Sequence, residues 1–107
     1  MDDAIKNITI YMRENYRQKI SIGELASKCN LSLFRFIHKF KDSTGMTPIE
    51  YLTRIRINEA KYLLANSPYN IAEISNIVGY NDPLYFSRVF KKMIGVSPKR
   101  YKNKTTS

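Results

Sequence analysis

The charged side chains of this sequence, the first candidates for chemistry, are mostly cations. The 107 residues include 18 Lys and Arg but only 9 Asp and Glu, so the formal net charge is +9. Seven of the basic residues lie between positions 88 and 104, a stretch that contains no carboxylate. Clustered ammonium and guanidinium groups bind polyanions such as nucleic acids. The charge pattern therefore favours a polyanion binder over the alternative, a basic surface without a specific partner.

Residue types needed for covalent, metal or acid–base chemistry are scarce. The single cysteine, Cys29, allows neither an internal disulfide nor a multi-cysteine zinc site, and the single histidine, His38, disfavours a histidine metal centre. Four carboxylates have helix-capping positions, which leaves no convincing catalytic pair: Glu24, Glu50, Glu73 and Asp82. No phosphate-binding glycine loop or nucleophile elbow occurs. We therefore predict a binding protein that is not an enzyme and uses no metal or other cofactor.

The sequence indicates neither export nor membrane insertion. No run approaches the roughly 18 consecutive apolar residues that a membrane span needs. Residues 1–4 are acidic and lack the basic and apolar regions of a secretory signal. A lone cysteine fits a reducing compartment, so we expect a cytoplasmic protein without a membrane partner.

The chain contains two copies of one structural unit. Residues 22–26 recur at 71–75, an offset of 49, and residues 45–48 recur at 95–98, an offset of 50. Four phenylalanines are related by the larger offset: Phe36 and Phe40, Phe86 and Phe90. Cys29 matches Val78, which predicts a small buried apolar side chain at Cys29 and not a reactive thiol.

Each copy predicts a short helix, a tight turn and a second helix. The short helices begin at the capping boxes Ser21-x-x-Glu24 and Asn70-x-x-Glu73. Residues that tolerate positive φ or cap helices then mark the turns and helix ends: Asn30 and Gly79, Ser32 and Asp82, Gly45 and Gly95. Apolar residues at helical spacing give each second helix a core face: Leu33, Phe36, Ile37 and Phe40, then Phe86, Val89, Phe90 and Met93. The pattern predicts two helix-turn-helix motifs.

Three further helices complete the predicted all-α fold of about seven helices. A capping box at residues 47–50 opens a linker helix of about 18 residues, roughly 27 Å long, which closes at residues 66–68. Ile5, Ile8, Met12 and Tyr16 indicate a helix that begins after Asp2 or Asp3. A last short helix runs from residue 97 through Tyr101, and residues 102–107 are expected to fray. We expect lobes at 1–46 and 67–107 joined by the linker at 47–66.

Several of these motifs resemble the DNA-binding domain of the AraC/XylS family of bacterial transcription regulators. The resemblance rests on residues 54–57 with Ala60, 63 and 64, then on 71–72, 77–83, 85–92 and 95–98, and it covers nearly the whole chain. It implies two recognition helices in successive major grooves on one face of B-DNA, one helical turn or about 34 Å apart. It also implies an activator that contacts RNA polymerase.

The resemblance assigns base contacts to the starts of the two recognition helices. They match Phe34, Ile37 and His38 in the first helix, and Pro83, Leu84, Ser87 and Arg88 in the second. Positions 37, 38 and 39 depart from the family pattern, because Ile, His and Lys replace a polar residue, Arg and an apolar residue. The second lobe therefore matches the family more closely.

Several candidate site residues have two possible roles. Arg88 lies on an outer helix face, where its guanidinium could pair with guanine O6 and N7 or could bind a phosphate. Ile37 lies at the core edge or against a thymine methyl group, and Phe34 meets a base edge or a sugar. His38 donates to a base or phosphate, and a pH-sensing or metal role is the weaker alternative. Phosphate contacts, with simple solubility as the alternative, are predicted for Arg35, Lys39, Lys41, Lys91, Lys92, Lys99 and Arg100.

Together these observations predict a sequence-specific, double-stranded DNA-binding transcription regulator. One chain spans two grooves, so a monomer suffices for an asymmetric promoter site of about 16–20 base pairs. Two alternatives remain, an architectural DNA binder with little base readout and a protein-interaction module that has lost DNA binding. The chain is either a stand-alone regulator or a domain of a larger one.

Overall fold

The computed structural model describes residues 2–106, which form seven helices and no β-strand. The helices are α1 (Asp3–Asn15), α2 (Ile22–Lys28), α3 (Leu33–Thr44), α4 (Pro48–Asn66), α5 (Ile71–Ile77), α6 (Pro83–Ile94) and α7 (Pro98–Thr106). The prediction of an all-α fold with two helix-turn-helix motifs and a long linker helix is confirmed. None of these helices combines the length and the apolar character that crossing a lipid bilayer requires.

The chain divides into two compact units, Met1–Ile55 and Arg56–Ser107, and the boundary falls inside α4. The first unit packs α1, α2, α3 and the beginning of α4 around one core. The core cluster of this unit consists of Ile5, Ile8, Met12, Leu25, Ala26, Phe36, Phe40 and Leu52. The second unit packs the end of α4 with α5, α6 and α7. Its buried residues are Ile57, Ala60, Leu64, Ile74, Val78, Tyr80, Phe86 and Phe90.

Side-chain caps begin the helices at the positions that the sequence indicates. The Asn70 side chain accepts from the Glu73 N–H at 2.8 Å while the Glu73 carboxylate accepts from the Asn70 N–H at 2.9 Å. Thr47 and Glu50 form the same reciprocal pair at the start of α4. Ser21, Ser32 and Asp82 each accept one N–H of the following helix. These bonds satisfy amide groups that have no partner within a helix, and so they fix where each helix starts.

The turns inside the two helix-turn-helix motifs have the same geometry. Asn30 and Gly79 have φ values of 55° and 105°, in the left-handed region that reverses the chain after α2 and α5. The next amide in each unit returns to the helix, from Leu31 to the Ala26 carbonyl at 3.1 Å and from Tyr80 to the Ser75 carbonyl at 2.9 Å. The predicted helix ends are therefore confirmed.

The internal repeat extends to the packing of aromatic rings. In the first unit the ring centroids of Phe36 and Phe40 lie 5.8 Å apart, and Tyr51 meets Phe40 edge-on at 5.5 Å. In the second unit the corresponding distances are 5.9 Å for Phe86 and Phe90, and 5.6 Å from Phe90 to Tyr101. Edge-on aromatic pairs of this kind stabilise a core beyond their buried area.

A further repeat relates α1 to the second half of α4. Ile5, Ile8 and Met12 are buried on α1, and the residues 52 positions later, Ile57, Ala60 and Leu64, are buried on α4. Thus α4 closes the first unit with its beginning and opens the second with its end. The sequence comparison missed this relation because only an apolar spacing, and no residue identity beyond Ile5 and Ile57, is shared.

Three sequence predictions need correction. Leu33, predicted to face the core, is half exposed because it is the first residue of α3 and no earlier turn lies beneath it. Met93 is exposed because Ile94 and Tyr101 fill the core at the end of α6. Residues 102–106 do not fray but continue α7, where the Lys102 Nζ donates to the Tyr69 carbonyl at 2.6 Å. Ser107 lies outside the described residues.

Candidate nucleic-acid interface

The second helix of each motif has a buried face and an outer face. On α3 the core takes Phe36 and Phe40, so the outer face carries Phe34, which is 71% exposed. On α6 the core takes Phe86 and Phe90, and the outer face carries Leu84, which is 72% exposed. Phe34 and Leu84 are 50 positions apart and therefore occupy the same place in the two motifs. Removing these apolar side chains from water is favourable, so a ligand that covers them would gain binding free energy.

We define the lobe 1 surface as the residues that line an open cleft of about 320 Å³ beside α3: Leu31, Phe34, Arg35, His38, Lys39 and Asp42. The rings of Phe34 and His38, one helical turn apart, are in contact with their centroids 4.3 Å apart and their planes inclined by 44°. This contact places an imidazole next to an exposed apolar ring, and both line the same cleft. The arrangement offers one hydrogen-bonding group and one apolar group to a flat ligand edge.

One cation of the lobe 1 surface already has a counterion within the protein. The Lys39 Nζ lies 3.0 Å from the Asp2 carboxylate. Asp2 also caps α1 by accepting the Ala4 and Ile5 amides. The hydrogen bond from Lys39 and then that from the Ile5 amide lower the pKa of Asp2. Asp2 is thus negatively charged at neutral pH, and part of the Lys39 charge is neutralised.

We define the lobe 2 surface as the exposed start of α6: Pro83, Leu84, Tyr85, Ser87 and Arg88. Arg88 follows Leu84 by one helical turn and is exposed, whereas Ser87 is half-buried beside it. The Asp82 carboxylate caps the first turn of α6 by accepting the Leu84 amide at 2.9 Å. An apolar group and a guanidinium therefore lie in one stripe along the outer face.

Two tyrosine rings in contact connect the lobe 2 surface with the core. The rings of Tyr80 and Tyr85 have centroids 5.9 Å apart, and the Arg56 guanidinium lies 5.3 Å from the centroid of the Tyr80 ring. Tyr80 is buried, whereas Tyr85 is 56% exposed. Burial lowers the pKa of Arg56, and the interaction with Tyr80 opposes that shift. The cation–π contact of Arg56 helps to hold the buried Tyr80 ring against which Tyr85 packs.

The sequence-predicted site residues fall into two groups by unit. Phe34 and His38 line the cleft of the first unit together with Arg35 and Lys39, whereas Ile37 is half-buried beside them. Pro83, Leu84 and Arg88 share the exposed start of α6. The remaining cations are exposed at the far ends of these helices or on the first turn of α7: Lys41, Lys91, Lys92, Lys99 and Arg100.

The two units differ in charge where their last helices begin. Glu50 on α4 matches Arg100 on α7, and the Ser97 hydroxyl accepts the Arg100 amide at 3.2 Å. The hydrogen bond from the Thr47 amide lowers the pKa of Glu50, so this carboxylate is ionised at neutral pH. A polyanion would therefore be attracted more strongly to the start of α7 than to the start of α4.

Cys29 does not belong to either surface. It is half-buried against the first core, and burial raises the pKa of its thiol, with a smaller contribution from the Asp2 charge. A thiol of raised pKa is a weak nucleophile. Within residues 2–106, no three His, Cys, Asp or Glu side chains cluster as a set of metal ligands.

Sequence reasoning missed Tyr85 as a member of the lobe 2 surface. The internal repeat could have identified it, because Tyr85 matches Arg35, for which the sequence predicts a phosphate contact. Leu31 and Asp42 were missed on the lobe 1 surface. Leu31 precedes α3, so no helical spacing within α3 relates it to the cleft.

Similarity to known proteins points to one family. Residues 25–104 match the family model of a helix-turn-helix domain. The MmsAB operon regulatory protein of Pseudomonas aeruginosa is 40% identical over 94 residues, which are 88% of this chain and 31% of that protein. The lactose operon transcription activator of Staphylococcus xylosus is 33% identical over 103 residues, 96% of this chain and 37% of that protein. The chain spans about a third of the length of these curated relatives.

Solved structures have the same fold. The C-terminal domain of AraT, a response regulator from Geobacillus stearothermophilus, has a TM-score of 0.93 and 30% identity, and the match covers 99% of this chain and 88% of that one. The DNA-binding domain of AdpA, a global transcriptional factor solved in complex with a target DNA, has a TM-score of 0.90. Its identity is 24%, over 96% of this chain and 93% of that one, so this likeness concerns the fold alone.

Proposed function

Because the chain belongs to the AraC/XylS-type helix-turn-helix family of DNA-binding domains from transcription regulators, we propose that it binds double-stranded DNA sequence-specifically and activates transcription. Membership of this family confirms the resemblance inferred from the sequence, and the family is one of DNA-binding regulators and not of enzymes. The observation that carries the proposal is the matched exposure of Phe34 and Leu84 on α3 and α6, each with a hydrogen-bonding side chain one turn later.

Under this proposal α3 and α6 are recognition helices whose outer faces meet base edges. In one half-site the bases are contacted by Pro83 at the start of α6 and by Leu84, Ser87 and Arg88. In the other half-site they are contacted by Phe34 and His38, with Ile37 at the edge of the surface. Arg88 pairs with guanine O6 and N7, and the apolar side chains meet thymine methyl groups.

Phosphate contacts hold these helices in place. Their proposed donors are Arg35, Lys39, Lys41, Lys91, Lys92, Lys99 and Arg100, all of them exposed. Salt bridges and hydrogen bonds to phosphates fix the register of a protein on DNA but do not read its sequence.

Both recognition helices belong to one chain, so a monomer suffices for an asymmetric promoter site of about 16–20 base pairs in successive major grooves. The proposed organisation is a lobe at 1–46, a linker helix at 47–66 and a lobe at 67–107. The lactose operon transcription activator among the relatives supports a role in activation. RNA polymerase is the proposed partner in that activation. The cytoplasm is the proposed compartment.

Selection of bound sequences from a randomised duplex pool tests the proposal, at about 150 mM salt, where the Debye length is about 8 Å. We expect enrichment of one motif with two blocks about a helical turn apart. A single short block would restrict base readout to the lobe 2 surface. Retention of DNA without enrichment would replace the proposal by architectural binding, and no retention at all by a protein-interaction module.

A further inference from the structure

Tyr85 lies on the flank of the outer face of α6. It follows Leu84 on α6, and a step of one residue turns it by about 100° from the stripe formed by Leu84 and Arg88. Its side chain is 56% exposed, and its ring lies against Tyr80. A helix that inserts its Leu84–Arg88 stripe toward base edges places residues on its flank near the groove wall, which consists of phosphates.

The ring beneath Tyr85 is fixed by the core. Tyr80 packs against Phe86 with ring centroids 5.7 Å apart, and its amide donates to the Ser75 carbonyl at 2.9 Å. The Arg56 guanidinium lies over the same ring. The Tyr85 ring therefore rests on a rigid support, and binding through its hydroxyl would cost little side-chain entropy.

We infer that Tyr85 donates its phenolic hydroxyl to a DNA phosphate at the flank of α6, and that Tyr80 acts as its positioning residue. This inference rests on the proposed function. In lobe 1 the matched residue is Arg35, and the residue matched to Tyr80 is Leu31. The two lobes thus bind phosphate with different chemistry at one position: lobe 1 with a cation, lobe 2 with a neutral donor on an aromatic support.

A neutral donor and a cation can be distinguished by salt. A cation that neutralises a phosphate releases counterions, and its removal flattens the dependence of log K on log salt by about 0.9. A phenol releases none. Tyr85→Phe keeps the ring on Tyr80 and removes only the hydroxyl, so we expect an affinity about tenfold lower with an unchanged salt slope. Because phosphates carry no sequence information, the loss should be equal on the selected site and on a shuffled duplex.

Two controls accompany this measurement by fluorescence anisotropy on both duplexes. Arg35→Gln should lower affinity and flatten the slope. Tyr62→Phe removes the hydroxyl of a tyrosine on α4 that is 62% exposed, and it should change neither quantity.

Tyr80→Leu tests the positioning role of Tyr80 by introducing the residue found in lobe 1. It should lower affinity in the unaltered chain but not in the Tyr85→Phe background, because the hydroxyl that Tyr80 positions is then absent.

The outcomes separate this inference from the proposed function. Normal affinity of Tyr85→Phe on both duplexes would overturn the inference and leave the proposed function intact. A loss confined to the selected site would also overturn it, because Tyr85 would then read a base. If the unaltered chain bound neither duplex, the proposed function would fail and the inference with it.

Discussion

Phe34 and Leu84 are the most exposed large apolar side chains in residues 2–106, and they occupy the same position on α3 and α6. A thymine methyl group is the apolar feature of the major groove that such side chains can cover. Phe34→Ala should therefore weaken binding to the selected site. Replacing the facing thymine by uracil should cost the unaltered chain about 0.8 kcal/mol, the value of one methyl group, and the Phe34→Ala variant much less.

Binding titrations with the four combinations of protein and DNA form a double-mutant cycle that checks this prediction. Scanning each thymine of the lobe 1 block in turn identifies the partner. Equal uracil penalties in both proteins at every position would assign Phe34 to a sugar contact and not to a base.

Arg88 gives the second prediction at the residue scale. Its guanidinium lies one turn beyond Leu84 on the outer face of α6. Arg88→Ala should relax specificity at one G·C pair by about 1–3 kcal/mol and leave discrimination at the other positions intact. Competition between single-base variants of the site measures this. A uniform loss on all duplexes, as expected for the control Lys91→Ala, would reassign Arg88 to a phosphate.

At the scale of elements, backbone conformation determines where each helix runs and ends, and two glycines are expected to respond to alanine in opposite directions. Gly45 ends α3 at φ 80°, where an added Cβ meets no atom within 4 Å, so Gly45→Ala is disfavoured by backbone strain and not by a clash. It should destabilise the chain by about 1–2 kcal/mol. Gly23 lies inside α2, where a Cβ would lie 3.7 Å from the Ser21 Oγ, an ordinary contact.

Gly23→Ala should stabilise the chain by about 0.4–1 kcal/mol, because alanine restricts the unfolded chain and favours helix. Urea unfolding of both variants checks the pair. A Gly45→Ala variant as stable as the unaltered chain would mean that the φ at Gly45 does not control the end of α3, and a destabilised Gly23→Ala variant would contradict the prediction for α2.

The capping box at the start of α4 predicts a pH dependence. The Thr47 amide lowers the pKa of Glu50, so between the folded and unfolded pKa values the unfolded state binds more protons. This contribution to stability is present above about pH 4.3, the value for an unperturbed Glu, and it is lost as the pH falls through the folded pKa. Glu50→Gln keeps a capping oxygen but cannot be protonated.

The urea midpoint of the unaltered chain should therefore fall more steeply below about pH 4.3 than that of Glu50→Gln. Asp2, whose pKa is also lowered, contributes in the same direction in both proteins. Parallel midpoints across the acid range would show that Glu50 gains nothing from its bond to Thr47.

At the scale of the whole molecule, we expect the net charge of +9 to set the affinity for DNA. If about six cations neutralise phosphates, log K should fall against log salt with a slope near −5. Lys39→Gln should flatten this slope less than Lys41→Gln, because Asp2 already neutralises part of the Lys39 charge. Anisotropy titrations across a range of salt concentrations measure both effects, and a salt-independent affinity would contradict the assignment of the cations to phosphates.

Much of the architecture could be predicted from the sequence. The caps at Ser32, Asn70 and Asp82 and the helix ends at Gly45 and Gly95 lie where the residue types indicate. The candidate site could be predicted in outline, because burial of Phe36 and Phe86 forces Phe34, Leu84 and Arg88 outward. The prediction that Leu33 and Met93 face the core was wrong, because an apolar spacing does not reveal where a core ends.

What the sequence by itself determined are features that depend on residues three or four positions apart: caps, helix spans, left-handed turns and the outer faces of α3 and α6. Only the tertiary structure decided which distant side chains meet, such as Asp2 with Lys39 and Arg56 with Tyr80. The physical reason is that hydrogen bonds and φ preferences at a helix end are local, and the residue types encode them directly. Contacts between elements depend instead on how whole helix faces pack, which no single spacing in the chain specifies.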